Sequence, residues 1–102
     1  MATATQVAYP MIGKQPPYNV ILVNDNDHSF PYVIGMLQQL FGHTRRKSEL
    51  IAKEVHEQGR AILLTTTKEH AEFKQEQIHA YGPDPDIARC KGSMTCQIEP
   101  AY

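Results

Sequence analysis

Two groups of polar side chains in the sequence could take part in binding or catalysis. The first is the run NDNDHS at residues 24–29, where six consecutive polar residues follow an apolar segment. Its carboxylate and amide oxygens are hydrogen-bond acceptors that could hold an ammonium group. The run lacks the central glycine and the distal glutamate of an EF-hand, so calcium binding is not expected. Its side chains could instead cap backbone groups in a loop between a strand and a helix.

The second candidate is His56, which lies in the segment EVHEQG at the predicted end of a helix. Its imidazole could interact with the helix macrodipole, or it could act as a general base. In the second case the chain would be a small acid-base enzyme that uses Asp25 and His56. No serine or cysteine lies in a recognisable nucleophile motif, so the sequence gives this enzymatic alternative little support.

The cysteine and histidine residues do not have the spacing of a metal site. A zinc site needs closely paired ligands in two clusters, whereas five residues separate Cys90 from Cys96. The five histidines are scattered singly along the chain, at His28, His43, His56, His70 and His79. We therefore expect no metal ion and no cofactor, and we expect both cysteines to be free thiols.

The charge and the length argue against several classes of function. The 102 residues include 10 Lys+Arg and 11 Asp+Glu, and this formal net charge of -1 is not typical of a protein that binds nucleic acid or anionic membranes. The chain has no apolar stretch long enough to span a bilayer and no recognisable signal peptide, so we expect a cytoplasmic protein. A single domain of this size, expected to be a monomer, favours a shallow surface pocket over a deep catalytic cavity.

The chain divides into an N-terminal extension and one domain. Residues 1–17 carry one charge, three prolines and no apolar periodicity, which predicts a flexible arm. Residues 18–102 are the predicted core domain, with the element order β-α-α-β-α-β. Because few strands alternate with helices, we predict an α+β two-layer sandwich in which a three-stranded antiparallel sheet packs against three helices. The predicted strands are Tyr18–Val23, Arg60–Thr66 and residues 94–99, and the predicted helices are Phe30–Phe41, Arg45–Gln58 and residues 68–81.

Local signals set the predicted ends and faces of the helices. The suitable N-cap residues are Ser29, Thr44 and Thr67, and the suitable C-terminal stops are Gly42, Gly59 and Gly82. The apolar spacing i, i+3, i+4, i+7 predicts that the first helix buries Phe30, Val33, Ile34, Leu37, Leu40 and Phe41. In the second helix we expect burial of Leu50 or Ile51, together with Ala52 and Val55.

Five segments of the sequence together form a recognisable set. They are YNVILVND at residues 18–25, the helix Phe30–Phe41, VHEQGRA at residues 55–61, AEFK at residues 71–74 and CQIEP at residues 96–100. In this order and at this spacing they resemble the ClpS family of Clp protease adaptors, whose approximate pattern is VNDD, VHxxGxA, AExK and a terminal LEP. The resemblance covers residues 18–101 and implies a three-stranded sheet packed with three helices, in agreement with the predicted elements.

The resemblance implies an adaptor and not an enzyme. Members of this family bind the bulky hydrophobic N-terminal residue of a substrate protein, an N-degron that begins with Phe, Leu, Tyr or Trp. They deliver the substrate to the AAA+ unfoldase ClpA or ClpC for degradation. Such an N-terminus combines an α-ammonium group, which has three hydrogen-bond donors, with an apolar side chain. A receptor for it therefore needs oriented acceptors beside a small apolar pocket.

The resemblance also assigns the residues of this site. It implies that the amine binds to Asn24, Asp25, Asn26, Asp27 and His56. It implies a hydrophobic pocket made of His28, Phe30, Val33, Ala52, Val55 and Met94. On the third helix, Glu69 and Lys74 match the positions that dock on the N-terminal domain of the unfoldase. Residues 1–17 match the mobile extension needed for delivery, so their deletion should spare peptide binding and impair degradation.

The sequence departs from the family pattern at several of these positions. Asn26 stands where a second aspartate is common, and both Phe30 and Ala52 stand where methionine is common. The loop at residues 82–93 is longer and contains Cys90. Because Ala52 is small, we expect a deeper or wider pocket that admits N-terminal Ile or Met more readily.

A different binding function is the main alternative. The ClpS sandwich is similar to the C-terminal domain of the ribosomal stalk protein, so the chain could be a ribosome-associated interaction module. That domain normally follows an acidic or hinge-linked dimerisation segment, which is not recognisable in this sequence. Comparing peptides with free and blocked N-termini would distinguish the adaptor from this module and from the enzyme.

Overall fold

The described residues form six regular elements in the predicted order. The computed structural model describes residues 16–87, 90 and 92–102. The strands are β1 (Tyr18–Val23), β2 (Arg60–Thr66) and β3 (Thr95–Pro100), and the helices are α1 (Phe30–Phe41), α2 (Arg45–Gln58) and α3 (Lys68–His79). The predicted α+β class is confirmed, because a three-stranded antiparallel sheet packs against the three helices.

Residues 1–15 of the predicted N-terminal extension lie outside the described residues. At the other end of the extension, the Pro17 carbonyl accepts a 2.8 Å hydrogen bond from the Ala101 N–H. Backbone pairing between the start and the end of the domain therefore begins one residue before β1.

The most apolar strand is the central one. β1 pairs antiparallel with β2 on one side and with β3 on the other. Its residues Val20, Ile21 and Leu22 are completely buried, as expected for a short continuous apolar run in the middle of a sheet. On the face covered by the helices, Val20 and Leu22 pack in the core with Ala61 and Leu63 of β2. This packing fixes the end of β1, after which the polar run begins.

Successive side chains of a strand point to opposite faces of the sheet. Because Val20 and Leu22 point toward the helices, the side chain of Ile21 points to the other face. On that side, Arg60 of β2 and Glu99 of β3 form an ion pair in which Arg60 Nη2 lies 3.0 Å from Glu99 Oε1. β1 lies between these two strands. The paired side chains therefore reach across β1 and add cover to its outer face.

The helix caps lie where the sequence predicts them, except at the end of α3. The N-cap side chains of Ser29, Thr44 and Thr67 each accept a hydrogen bond from a backbone N–H in the first turn of their helix. Gly42 and Gly59 adopt the left-handed conformation at the C-caps of α1 and α2, with φ of 68° and 88°. Both helices therefore have the predicted bounds.

Three element boundaries differ from the prediction: the end of α3 and both ends of β3, which runs over Thr95–Pro100 and not over residues 94–99. α3 ends at His79 and not near residue 81, because its C-cap is Ala80 and not a left-handed glycine. The predicted stop, Gly82, follows two residues later with φ of 103°. β3 begins at Thr95 and not at Met94. Met94 thus lies in the segment that enters the sheet, where its side chain is buried.

The buried face of α1 also differs from the prediction. Phe30, which was predicted to be buried, is 43% exposed, whereas Tyr32 is buried. The Tyr32 hydroxyl donates a hydrogen bond to the Gly82 carbonyl, and its ring lies edge-on to that of Tyr81, with the centroids 5.4 Å apart. The segment after α3 therefore covers a second side of α1. A single apolar stripe assumes one packing partner, so it could not predict this contact.

In α2, the two alternatives for the buried position are resolved. Ile51 is buried and Leu50 is exposed, while Ala52 and Val55 are buried as predicted. Ala52 and Val55 lie three positions apart and so occupy the same face of the helix. This face is the one that contributes to the candidate site.

Candidate functional site

A surface cleft of ≈ 210 Å³ lies at the end of the sheet where β1 ends. Four parts of the chain line it: the loop after β1, the first turns of α1, the last turns of α2 and the segment before β3. Every residue predicted for the amine site or the hydrophobic pocket lines this cleft except Asp27. The lining residues are Asn24, Asp25, Asn26, His28, Phe30, Val33, Ala52, Val55, His56 and Met94.

Backbone pairing explains why distant segments meet at the cleft. The Asn24 N–H donates a 2.9 Å hydrogen bond to the carbonyl of Gly59, the C-cap of α2. His56 lies one turn before Gly59, so this bond brings Asn24 and His56 to the same rim of the cleft. Val23, the last residue of β1, lies opposite Thr95, which places Met94 at the same end of the sheet.

Two polar side chains of the cleft have no hydrogen-bond partner within the described part of the chain. They are the Asn24 amide and the His56 imidazole. His56 is exposed, and its ring meets that of Phe30 edge-on, with the centroids 5.4 Å apart. Both Asn24 and His56 can therefore present an acceptor atom to a ligand in the cleft.

The Asp25 carboxylate is partly used within the protein. Asp25 Oδ1 accepts a 2.9 Å hydrogen bond from the Asp27 N–H and lies 2.7 Å from His28 Nδ1. The other carboxylate oxygen, Oδ2, is a second acceptor on the same side chain. Since Asp25 orients His28 and not His56, these contacts give no support to the enzymatic alternative, in which Asp25 and His56 act as an acid-base pair. Asp27 itself contributes a backbone donor to this network and does not line the cleft.

His28 connects two segments that are far apart in the sequence. Its Nδ1 faces Asp25 Oδ1, and its Nε2 lies 2.8 Å from the carbonyl oxygen of Gly92. Both partners are acceptors, so both contacts are hydrogen bonds only when both ring nitrogens carry protons. In that form His28 links the loop after β1 to the segment before β3. The family resemblance implied a place in the apolar wall for His28, whereas its observed contacts are mainly polar.

The inner wall of the cleft is apolar. Val33, Ala52, Val55 and Met94 are all buried, and they come from three different parts of the fold. Phe30 lies at the rim, where its ring rests against His56. The cleft therefore combines an apolar wall with polar acceptors at one end, which suits a ligand that carries a cationic group beside an apolar side chain.

Asp84 does not line the cleft, but it holds the N-terminus of α1, whose first turns do. Its Oδ2 accepts a 2.6 Å hydrogen bond from the N–H of Ser29, the N-cap of α1, and its Oδ1 accepts one of 2.9 Å from the Asp86 N–H. Burial alone would raise the pKa of the Asp84 carboxyl, but the hydrogen bonds from Ser29 and Asp86 and the nearby His28 outweigh it and lower the pKa. No sequence signal predicted this role, because Asp84 occurs in a Pro-rich loop.

The Asp84→Asn variant is expected to be less stable than the wild-type protein by about 1–3 kcal/mol at pH 7, because two backbone donors lose a charged acceptor. A carboxyl whose pKa is lower in the folded protein stabilises the fold above its unfolded-state pKa. This stabilisation disappears as the pH falls through the folded-state pKa, so the difference between variant and wild type should shrink in acid. Urea unfolding at neutral and acidic pH measures both effects.

The matched control is Asp86→Asn, since Asp86 is exposed and contributes through its backbone N–H. Its free energy of unfolding should stay within about 0.5 kcal/mol of the wild-type value. If the two variants lose equal stability at pH 7, the assigned role of Asp84 is wrong.

The two residues predicted to dock on an unfoldase lie on α3, away from the cleft. Glu69 is exposed in the first turn of α3. The Lys74 ammonium donates a hydrogen bond to the Leu40 carbonyl at the end of α1 and lies 5.0 Å from the centre of the Phe41 ring. Burial lowers the pKa of Lys74. Lys74 therefore has a structural contact in addition to the docking role, which stays a prediction.

Among residues 16–87, 90 and 92–102, no group of three or more His, Cys, Asp or Glu side chains is arranged to hold a metal ion. The same residues contain no helix with the length and apolarity needed to cross a membrane. Both cysteines are free thiols, as expected, and Cys90 is partly exposed whereas Cys96 is buried.

Comparison with known proteins supports the family resemblance. The family model described as "ATP-dependent Clp protease adaptor protein ClpS" matches residues 13–84. Among solved structures, the fold is similar to that of Agrobacterium tumefaciens ClpS2 bound to L-phenylalaninamide, with a TM-score of 0.73. The two sequences are 20% identical, and the similarity covers 85% of this chain and 99% of that chain. At this identity the structural comparison establishes a common fold.

Proposed function

Because this chain belongs to the ClpS family of ATP-dependent Clp protease adaptor proteins, we propose that it binds N-degrons. Its ligands are proteins with a free, bulky hydrophobic N-terminal residue such as Phe, Leu, Tyr or Trp. The chain delivers them to a AAA+ unfoldase for degradation and performs no chemical step itself. The observation that carries this proposal is the cleft in which the side chains of Asn24 and His56, which have no hydrogen-bond partner among the described residues, lie beside a buried apolar wall.

The acceptors at the rim suit an α-ammonium group. An N-terminal amine with a pKa near 8 is largely protonated at pH 7 and carries three donors. The Asn24 amide oxygen, an unprotonated nitrogen of His56 and the second oxygen of Asp25 are three acceptors in the same cleft. Because an unpaired ammonium is costly to desolvate, these groups select for a free N-terminus. Asn26 adds a polar group to this rim.

The apolar wall suits the side chain of the same residue. Val33, Ala52, Val55 and Met94 can contact an inserted side chain, and burying one of Leu or Phe size contributes about 1.5–3 kcal/mol. The ligand of the similar Agrobacterium protein, L-phenylalaninamide, joins a free amine to an aromatic side chain. A ligand of this composition matches both parts of the cleft.

Delivery requires two further regions. We propose that Glu69 and Lys74 on α3 dock on the N-terminal domain of the unfoldase, ClpA or ClpC. Residues 1–17 take part in the transfer of the substrate. A monomer of the chain is sufficient for both binding and delivery. The docking helix and the cleft do not share residues. The adaptor can therefore hold a substrate and the unfoldase at the same time.

Fluorescence anisotropy with a labelled peptide tests the binding function. A peptide that begins with a free Phe should bind at least about 100-fold more tightly than the same peptide acetylated at its N-terminus, because acetylation removes the charge and two of three donors. A peptide of the same sequence that begins with a free Gly is the control for the apolar wall, and it should also bind weakly. Equal affinities for the free and acetylated Phe peptides would refute the proposal.

A further inference from the structure

Cys90 has a chemical environment that N-degron binding does not use. It lies in the loop between α3 and β3 and is partly exposed. Its Sγ is 3.3 Å from His28 Nε2 and accepts a 3.2 Å hydrogen bond from the Asp84 N–H. The same Sγ lies 3.2 Å from the carbonyl oxygen of Gly92. The backbone N–H of Asp84 and an imidazole nitrogen of His28, which can donate a hydrogen bond when it is protonated, therefore face this sulfur.

The Cys90 thiol is the first member of a chain of three side chains. His28 faces Cys90 through Nε2 and faces Asp25 through Nδ1, which is 2.7 Å from Asp25 Oδ1. A thiol beside an imidazole that a carboxylate orients is the arrangement of an activated sulfur nucleophile. Reactive cysteines are typically partly exposed and next to a basic group, and Cys90 meets both conditions.

The second cysteine of the chain provides a contrast. Cys96 is buried in the core under the helices. Burial raises the pKa of its thiol to about 11. Its Sγ makes a weak contact to the Gln97 carbonyl at 3.8 Å, and the nearby His79 imidazole accepts a 3.1 Å hydrogen bond from the backbone N–H of Cys96. The two thiols therefore differ sharply in accessibility and in chemical surroundings.

We propose that Cys90 is a modification site that undergoes thiol–disulfide exchange with a low-molecular-weight disulfide, such as oxidised glutathione, and that the resulting mixed disulfide weakens ligand binding in the cleft. In this step the Cys90 sulfur attacks one sulfur of the small disulfide, so that a new S–S bond forms and the original one breaks. The Cys90 sulfur is oxidised and the departing sulfur is reduced. The departing thiolate keeps the electron pair of the broken bond and takes up the proton lost by the Cys90 thiol.

The contacts of Cys90 couple it to the cleft. A group attached to Sγ cannot occupy the space in which Sγ now meets His28 and the Asp84 N–H. The His28 side chain is only 4% exposed, so its ring has to shift to accommodate the new group. This shift disturbs Asp25 through the Nδ1 contact and the start of α1 through the Asp84–Ser29 hydrogen bond. The effect on ligand binding rests on the proposed N-degron function, whereas the reactivity of Cys90 does not.

The reactivity is tested on the reduced full-length protein with oxidised glutathione, using intact mass and peptide mapping. We expect one adduct, at Cys90 and not at Cys96. Cys90 should also react faster in the folded protein than in urea, because unfolding separates Cys90 from His28 and Asp84. His28→Gln should slow the reaction at least about tenfold, whereas the control His70→Gln on α3 should not change it. Adduct formation at Cys96, or a folded-state rate at Cys90 no higher than in urea, would overturn the proposal.

The effect on binding is measured by anisotropy with the Phe peptide before modification, after it, and after reduction with dithiothreitol. We expect affinity to fall at least about tenfold and then to recover. Cys90→Ser should bind as the unmodified protein does and should not respond to oxidised glutathione. An adduct at Cys90 that leaves affinity unchanged overturns the coupling to the cleft. If the reduced protein does not bind the peptide, the N-degron function and the coupling both fail, while mass mapping still decides the reactivity of Cys90.

Discussion

The Asn24→Ala variant is expected to bind a peptide with a free N-terminal Phe about 30-fold more weakly than the wild-type protein. A hydrogen bond to a charged group contributes about 1.5–3 kcal/mol, and the lost amide leaves one donor of the ammonium without a partner. The Asn24 N–H keeps its bond to the Gly59 carbonyl in the variant, so the end of β1 should stay in place. His56→Ala should lower the affinity in the same way, since it removes the second side-chain acceptor that faces the cleft without a partner in the described part of the chain.

The control for this prediction is Gln58→Ala, which removes an exposed amide side chain at the end of α2 without altering the cleft. Its affinity should equal that of the wild type. The loss of affinity caused by Asn24→Ala should also be much smaller for the acetylated peptide. This peptide has no α-ammonium group, so neither the wild type nor the variant can make the interaction that Asn24 provides. If Asn24→Ala binds both the free and the acetylated peptide with the affinity of the wild type, Asn24 does not bind the amine.

The second large effect is expected at Ala52, where the side chain limits the size of the apolar wall. Ala52→Met should lower the affinity for peptides beginning with Ile or Val, relative to Leu, at least about tenfold. The longer methionine side chain would occupy part of a cleft of ≈ 210 Å³. The side chains of Ile and Val branch at the β-carbon, so they need a wider cleft near its entrance than the side chain of Leu does. Phe30 does not fill this space from the other side, because its ring lies at the rim against His56 and is 43% exposed.

Peptide affinities for N-terminal Leu, Ile and Val in wild type and variant decide this prediction. Ala80→Met is the matched control, because Ala80 is exposed at the C-cap of α3 and does not line the cleft. It should leave all three affinities unchanged. If the ratio of Leu to Ile affinity is the same in the wild type and in Ala52→Met, the expectation of a wider pocket is wrong.

Local signals predicted most of the fold. The bounds of α1 and α2 follow from cap residues that act within one turn, namely Ser29, Gly42, Thr44 and Gly59. The end of α3 lacked such a signal, since the nearest glycine follows the actual C-cap by two residues. The exposure of Phe30 depends on which elements cover α1, and a sequence pattern does not contain that information.

The candidate site was predictable to the extent that its residues lie in short, regularly placed motifs. Asn24 and Asp25 follow a strand directly, and His56 precedes a helix stop, so the family resemblance could place them. The contacts made by Asp84 and Cys90 were not predictable. They join residues 55 and 62 positions apart, and hydrogen bonds of that range leave no periodic trace in the sequence.

The place of Met94 in the cleft has a consequence for the time at which the protein becomes active. The acceptors Asn24 and His56 are synthesised early, but the wall at Met94 forms only when β3 pairs with β1. β3 follows all the other elements in the chain, and synthesis proceeds from the N-terminus at about 5–20 residues per second. A nascent chain on the ribosome therefore holds Asn24 and His56 without a complete cleft. Under the proposed function, such a chain cannot bind N-degrons as a finished copy does until β3 has been synthesised and has paired with β1.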